Sequence, residues 1–228
     1  ELALWTIGDL HLSRAQDKPM DIFGEKWRGH EEKIEKSWME KVSPSDTVVL
    51  AGDLSWAIDF QEVLPDLQFL HNLPGRKILL KGNHDYWWQT LRKMQLFLKE
   101  QAMEDFFFLQ NNHFMYENVA LCGTRGWMFE GESAEKMLSR EEIRLEMSLK
   151  SAPDETEKIV FMHFPPLLTA DHQSRFVEIM KKYQVKKCFY GHLHGYSIQN
   201  AVVGEHFGIN FSLVSADSLD FSIQNILR

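Results

Sequence analysis

Ile78-Leu79-Leu80-Lys81-Gly82-Asn83-His84-Asp85 is the stretch on which the reading of the chain turns. The apolar run Ile78 to Leu80 reads as the end of a buried strand. It breaks at Gly82, a residue that tolerates backbone dihedrals other residues avoid and so lets the chain turn. An amide oxygen, an imidazole and a carboxylate follow at once. Tyr86-Trp87-Trp88-Gln89-Thr90-Leu91 then resumes a helical pattern, which predicts a helix over 86–100. Open α/β sheets place ligands at such strand-to-helix turns. A plain polar turn would also give Gly-Asn-His-Asp, so the remainder of the chain has to decide.

Working outward, the same grammar recurs twice upstream. Thr47-Val48-Val49-Leu50 runs into Ala51-Gly52-Asp53, and Leu2-Ala3-Leu4-Trp5-Thr6-Ile7 runs into Gly8-Asp9-Leu10-His11. In an extended chain the spacing of two puts Asp9 and His11 on one side. A carboxylate and an imidazole so placed suit a metal that takes mixed oxygen and nitrogen ligands. Residues 13–29, with Pro19, Gly24 and Gly29, read as a loop. Ile34, Trp38 and Val42 mark a helix stripe with Trp38 in the core, and residues 60–71 a second helix. Strands alternating with helices predict βαβ units whose polar tips converge on one sheet edge.

Downstream, β-like runs occupy 106–109, 113–116 and 119–123, with a turn at Asn111-Asn112, where asparagine accepts positive φ. Residues 132–150 read as an amphipathic helix whose charges form a solvated face, with Ser139 and Glu142 as a capping box. Ile159-Val160-Phe161-Met162 then ends in His163-Phe164-Pro165-Pro166. A helix over 172–183 leads to Lys187-Cys188-Phe189-Tyr190, which ends in Gly191-His192-Leu193-His194-Gly195. The pieces 197–203, 206–214 and 219–223 read as antiparallel strands of a second sheet layer. Of the ten histidines, His11, His84, His163, His192 and His194 stand at strand ends; His30, His71, His113, His172 and His206 lack polar company and read as structural.

Composition narrows the class. A chain of 228 residues with 44% hydrophobic content and no linker or repeat reads as a single domain over 1–228. A net charge of −8 argues against sequence-independent nucleic-acid binding. Cys122 and Cys188 lie inside apolar runs, as buried free thiols of a reducing compartment do. No apolar run reaches the 18 residues a membrane span needs, and no basic segment followed by an apolar one marks secretion. The expectation is a cytoplasmic protein, although the sequence opens at Glu1 without Met, so that a leader could have been lost from view.

Asp9-Leu10-His11, Gly52-Asp53, Gly82-Asn83-His84-Asp85, His163 and Gly191-His192-Leu193-His194 resemble, in order and spacing, the five motifs of the calcineurin-like metallophosphoesterase superfamily. The resemblance covers residues 8–194. It implies an α/β fold, a four-layer α/β/β/α sandwich of two mixed β-sheets flanked by helices. It also implies two divalent metal ions (Mn, Fe or Zn), one taking Asp9, His11, Asp53 and His194, the other Asn83, His163, His192 and the shared Asp53. His84 would be the catalytic proton donor to the leaving oxygen. Two dications about 3.5–4 Å apart need an anionic bridge such as Asp53, and a hydroxide activated between them is the expected nucleophile.

The expected activity is hydrolysis of a phosphate ester on a small phosphorylated metabolite, with a cyclic-nucleotide or other phosphodiesterase as the alternative. A Ser/Thr protein phosphatase, a nuclease or a non-catalytic metal-binding scaffold ranks lower. Residues 52–58 read Gly-Asp-Leu-Ser-Trp-Ala-Ile. Trp56 therefore stands where the Ser/Thr phosphatases have an aspartate that orients the motif histidine, and Ala57 where they have an arginine. Asp59 or a backbone carbonyl is the expected substitute. The loop 13–29, with cations Arg14, Lys18, Lys26 and Arg28 beside Met20, Ile22, Phe23 and Trp27, is the expected substrate filter. No protein partner is read from the sequence.

Overall fold

The strands that carry the motifs are apolar on both faces, and this determines the layering. A computed structural model describes residues 2–16 and 18–227, and of Glu132 the backbone alone. In chain order the first half comprises β1 (Leu4–Ile7), α1 (His30–Lys41), β2 (Thr47–Leu50), α2 (Phe60–His71), β3 (Arg76–Leu79), α3 (Leu91–Glu100) and β4 (Phe106–Phe108). The second half comprises β5 (Phe114–Tyr116), β6 (Val119–Thr124), α4 (Glu132–Ser151), β7 (Glu157–Met162), α5 (Arg175–Lys182), β8 (Lys187–Tyr190), β9 (Gly204–His206), β10 (Ile209–Leu213) and β11 (Gln224–Leu227). One sheet has the order β11-β1-β2-β3-β4, the other β5-β6-β7-β8-β10-β9. Both are mixed: β1, β2, β3 and β4 run parallel with β11 antiparallel, and β6, β7, β8 and β10 run parallel with antiparallel β5 and β9 at the edges.

Side-chain alternation then sorts each strand between two cores. In β2, Val48 and Leu50 pack under the helices while Val49 faces the other sheet; in β7, Val160 and Met162 face helices while Ile159 and Phe161 face inward. Ile34 and Trp38 of α1, Leu67 and Leu70 of α2, and Met94 and Leu98 of α3 cover the first sheet. Leu145 and Leu149 of α4, with Phe176, Val177 and Met180 of α5, cover the second. Leu4, Val49, Ile78, Leu121, Phe161 and Phe189 fill the space between the sheets. The result is the α/β/β/α sandwich.

Several local expectations are corrected. No helix spans 86–90: Thr90 caps α3 by accepting from Lys93 N, so the helix starts at Leu91, and Trp87 and Trp88 bury in a turn instead. Ser139 and Glu142 form no capping box, because α4 runs unbroken from Glu132. Nor is its charged face wholly solvated: Glu141 and Glu142 are buried. Residues 195–200 are a 3₁₀ turn, β10 is parallel to β8, and β11 crosses back to pair with β1, so the C-terminal pieces do not form a sheet of their own. Asn111 does turn the chain at φ 59°. No helix among the described residues is long and apolar enough to cross a membrane.

Candidate metal centre

The tips of β1, β2, β3, β7 and β8 lie side by side on one rim of the sandwich. The segments after β1 and β2 stay paired beyond the strands: Asp9 N donates to Gly52 O (2.8 Å), His11 N to Asp53 O (3.0 Å) and Leu12 N to Leu54 O (2.9 Å). The sheets are joined at the same rim by Gly8 N donating to Val214 O (2.7 Å) and Ala216 N to Gly8 O (2.9 Å). Asp9, His11, Asp53 and His192 all take left-handed backbone, with φ of 58°, 45°, 50° and 72°. Asp9 and His11 thus reach the centre through two consecutive tight bends, and the extended spacing of two is not the cause. Such conformations are costly for residues with side chains and concentrate at functional sites. Gly82 is needed for room, since a Cβ there would overlap the Asp53 backbone N and Oδ1; its φ is ordinary.

Two groups of donor atoms result. Asp9, His11, Asp53 and His194 offer atoms all within 4.8 Å of one another, and so do Asp53, His163 and His192. Asp53 is common to both: its Oδ2 lies 3.4 Å from His163 Nε2 and 3.7 Å from His11 Nε2. Asn83 Oδ1 adjoins the second group, 2.7 Å from His163 Nε2 and 3.0 Å from His192 Nδ1. All the residues expected to hold metals are therefore in one cluster. Backbone amides orient the carboxylates, with His84 N donating to Asp53 Oδ1 (2.8 Å) and His192 N to both oxygens of Asp9 (3.1 Å).

The donor set fits cations. His194 Nδ1 donates to Asp217 Oδ1 (3.0 Å) and His163 Nδ1 to the carbonyl of Ala51 (3.0 Å), which turns each Nε2 lone pair into the cluster. There the lone pairs meet one another: His11 Nε2 and His194 Nε2 are 3.2 Å apart. Without a cation this arrangement has to hold protons. Burial works against charge on His163 and His194, yet the carboxylates of Asp53 and Asp9 outweigh it and push the rings up to about 9 and about 10. Burial, reinforced by the neighbouring rings, lowers His11 to about 3 and His192 to about 4. Crowded carboxylates and imidazoles with opposed demands are what a pair of cations would relieve.

His84 stands at the margin, half-buried. Its ring lies 5.8 Å from that of His11 and 4.7 Å from that of Trp56, and its buried Nδ1 has no hydrogen-bond partner. Asp59 does not orient it: that carboxylate caps α2 by accepting from Glu62 N. Trp56 instead stacks on His11 at 4.9 Å and backs both rings.

Sequence reasoning gave three carboxylates no role. Asp217, in the turn after β10, anchors His194 and also accepts from Gly195 N (2.8 Å). Asp85 is buried and accepts from Leu54 N (2.9 Å), Gly82 N (2.7 Å) and Trp87 Nε1 (3.1 Å), so it locks the β2 and β3 tips together; burial raises it to about 6. Glu141 is the third, described below. No local pattern marks Asp217, whereas Asp85 closes the motif itself. The loop 13–29 lies against the centre through Trp27, whose ring is 5.6 Å from that of His194. Its cations are largely engaged elsewhere: Arg14 pairs with Glu31 (2.9 Å) and covers Phe69 (4.0 Å), and Lys26 pairs with Asp220 (2.7 Å). Lys18 lies over Trp56 at 4.8 Å, and Lys26 Nζ also donates to the carbonyl of Asp217 (2.6 Å), so these two reach the margin of the site.

A family model described as calcineurin-like phosphoesterase matches residues 2–196. Among curated relatives, the Gene 66 protein of Mycobacterium phage D29 is 34% identical over 87 residues, 36% of this chain and 40% of that protein, so the match spans well under two thirds of the relative. Among solved structures, the phosphopantetheinyl hydrolase of Mycobacterium tuberculosis superimposes with a TM-score of 0.63 at 13% identity, over 100% of this chain and 96% of that one. A protein of unknown function from Aquifex aeolicus does so with a TM-score of 0.55 at 17% identity, over 99% and 96%. At these identities the structures share the fold.

Proposed function

From the premise that the chain belongs to the calcineurin-like phosphoesterase family, we propose that it hydrolyses a phosphate ester of a small phosphorylated molecule at a pair of divalent metal ions. The observation that carries this reading is the position of Asp53, whose carboxylate belongs to both donor groups. One ion would be held by Asp9, His11, Asp53 and His194, the other by Asn83, His163, His192 and Asp53. Bound there, the two ions would acidify a water and offset the charge that develops on the phosphoryl oxygens. Mn, Fe and Zn all suit this mixture of imidazole, carboxylate and amide.

The chain's own residues supply the rest. Asp217 and the Ala51 carbonyl hold two imidazoles in the tautomer that leaves Nε2 free. Trp27 and Trp56 wall the cluster with apolar surface and keep bulk water off His11. His84 is beside the cluster without being part of either donor group, which suits it to give a proton to the leaving oxygen, an effect worth about 10²–10⁴-fold. With an aromatic behind it in place of a carboxylate, its ring is positioned by packing. A small substrate is favoured over a phosphoprotein because position 57 carries Ala in place of a phosphate-gripping arginine.

Release of p-nitrophenol from mono- and bis-p-nitrophenyl phosphate, with Mn²⁺, Fe²⁺ or Zn²⁺ supplied, tests the proposal and separates monoesterase from diesterase. A protein that binds the metals stoichiometrically and releases nothing from either ester would be a scaffold, and the proposal would fail.

A further inference from the structure

On the same rim as the cluster lies a cleft of about 370 Å³, lined among others by Lys81, Trp88, Gln110, Arg125, Glu141 and Arg144. Its proximity to the candidate metal centre follows from the chain. Lys81 precedes Asn83 by two residues, at most about 7 Å of extended backbone. The carbonyl of Arg125 accepts from His163 N (3.1 Å) and Phe164 N (2.9 Å), so the cleft wall and the His163 segment are hydrogen-bonded neighbours.

Charge in the cleft does not balance. Glu141, fully buried, is the carboxylate among its lining residues, and it is already engaged. It accepts from Thr124 Oγ1 (2.6 Å), Gly126 N (3.2 Å) and Arg144 Nη1 (2.7 Å), and lies 3.4 Å from Arg125 Nη2. Against it stand two guanidiniums and an ammonium. The Arg125 side chain is only 14% exposed, and its buried Nε has no partner. Asp85 and Glu141 act on Lys81 only through space, with no hydrogen bond to either. Arg125 is largely buried, while Arg144 and Lys81 are half-buried at the cleft's edge, and an anion between them would offset the excess positive charge. Guanidinium forks match the oxygens of a phosphate, and an ammonium adds a point charge.

We propose that this cleft is an anion subsite that holds a second phosphate of the substrate. The substrates are then bisphosphorylated small molecules, with one phosphate ester at the metals and the other phosphate gripped by Lys81, Arg125 and Arg144. Water adds across one P–O bond, giving inorganic phosphate and an alcohol that keeps the second phosphate. This rests on the phosphoesterase reading above for its chemistry, but the cleft itself can be tested separately.

The probes are adenosine 3′,5′-bisphosphate and adenosine 5′-monophosphate, with the full chain and its Arg144→Ala and Lys81→Gln variants, each checked for folding by its melting curve. Calorimetry in excess chelator silences turnover and reads the cleft by itself. There each variant is expected to bind the bisphosphate at least tenfold more weakly than wild type, about 1.4 kcal/mol. With metal restored, the ratio of kcat/KM for bisphosphate over monophosphate should fall tenfold or more in the variants. Equal bisphosphate affinity in wild type and both variants, or a wild-type kcat/KM no higher for the bisphosphate than for the monophosphate, overturns the subsite. Absence of turnover alongside a bisphosphate affinity that falls in the variants would refute the phosphoesterase reading and leave the subsite standing.

Discussion

Asp217→Asn is the sharpest single perturbation of the centre, because it changes no proposed ligand. The Asp217 carboxylate accepts two hydrogen bonds at once, from His194 Nδ1 on Oδ1 (3.0 Å) and from Gly195 N on Oδ2 (2.8 Å). It is 2% exposed, so water cannot substitute. Burial alone would raise its pKa; the His194 contact outweighs that and holds it below the ordinary range. An asparagine of the same shape has one acceptor and one donor. If its oxygen faces His194, its amide NH₂ meets Gly195 N and leaves a buried donor unpaired, at about 1–3 kcal/mol. If it faces Gly195, the NH₂ meets His194, and the ring has to shift its proton to Nε2, the atom aimed at Asp9 Oδ1 (3.1 Å). Either way the ring loses its orientation or its basicity, and losses of this kind weaken metal affinity about 10–100-fold, equivalent to about 1.4–2.7 kcal/mol. Metal titration against a chromophoric chelator measures the affinity directly, with melting in chelator as the folding control. Wild-type affinity in a folded Asp217→Asn protein would refute the role of Asp217 and weaken the assignment of His194.

Other outcomes follow from the same geometry. Asp53→Asn should lower occupancy at both metal positions and abolish hydrolysis, whereas His11→Ala should affect chiefly one; elemental analysis showing two full equivalents in Asp53→Asn would sink the bridge. His84→Ala should keep its metals and lose about 10²–10⁴-fold in rate on alkyl phosphates, with a smaller loss on nitrophenyl esters, whose leaving group needs no proton. Trp56→Ala, which removes the surface 4.7 Å behind His84, should show the same leaving-group dependence, and equal losses on both ester types would argue against positioning. Asp66 is buried and accepts from Arg14 N (2.9 Å) and Ser55 Oγ, and burial raises it from 3.8 to about 6. A folded-state value above the unfolded one means the native protein binds the proton more tightly, so this group destabilises as pH rises from about 4 through 6. At 1.36 kcal/mol per pH unit the effect totals about 3 kcal/mol. The stability of wild type relative to Asp66→Asn should therefore fall by up to about that amount between pH 4 and 7, and a flat difference in denaturant melts would refute it.

Errors in reading the secondary structure have a common physical origin. Trp87 and Trp88 carry the apolar character of a helix stripe, but they are buried by Asp85 and Gln110, to which their indole nitrogens donate at 3.1 Å each. Hydrophobicity showed that they go inside; the turn they take goes with a local contact from Trp87 to Asp85 and a distant one from Trp88 to Gln110. The run 219–223 looked like another strand of the second sheet; Phe221 and Ile223 in fact join the core of the first. Asp9 and His11 came from an extended spacing that the positive φ at both residues contradicts.

The sequence by itself determined which residues are present at the strand ends and in what order. Strands buried on both faces must be continuously apolar, so Val48 to Leu50 and Ile159 to Met162 are visible without any partner, and the histidines, aspartates and asparagine after them stand out by contrast. Tertiary structure alone decided which polar atoms meet. His11 and His194 are 183 residues apart yet their Nε2 atoms lie at 3.2 Å, and Asp217, Trp56 and Glu141 owe their roles to neighbours that no local pattern names. Apolar burial is non-directional and leaves a periodic trace along the chain. A hydrogen bond or a donor cluster needs ångström-scale placement of groups from distant segments, which exists only once the two sheets have packed.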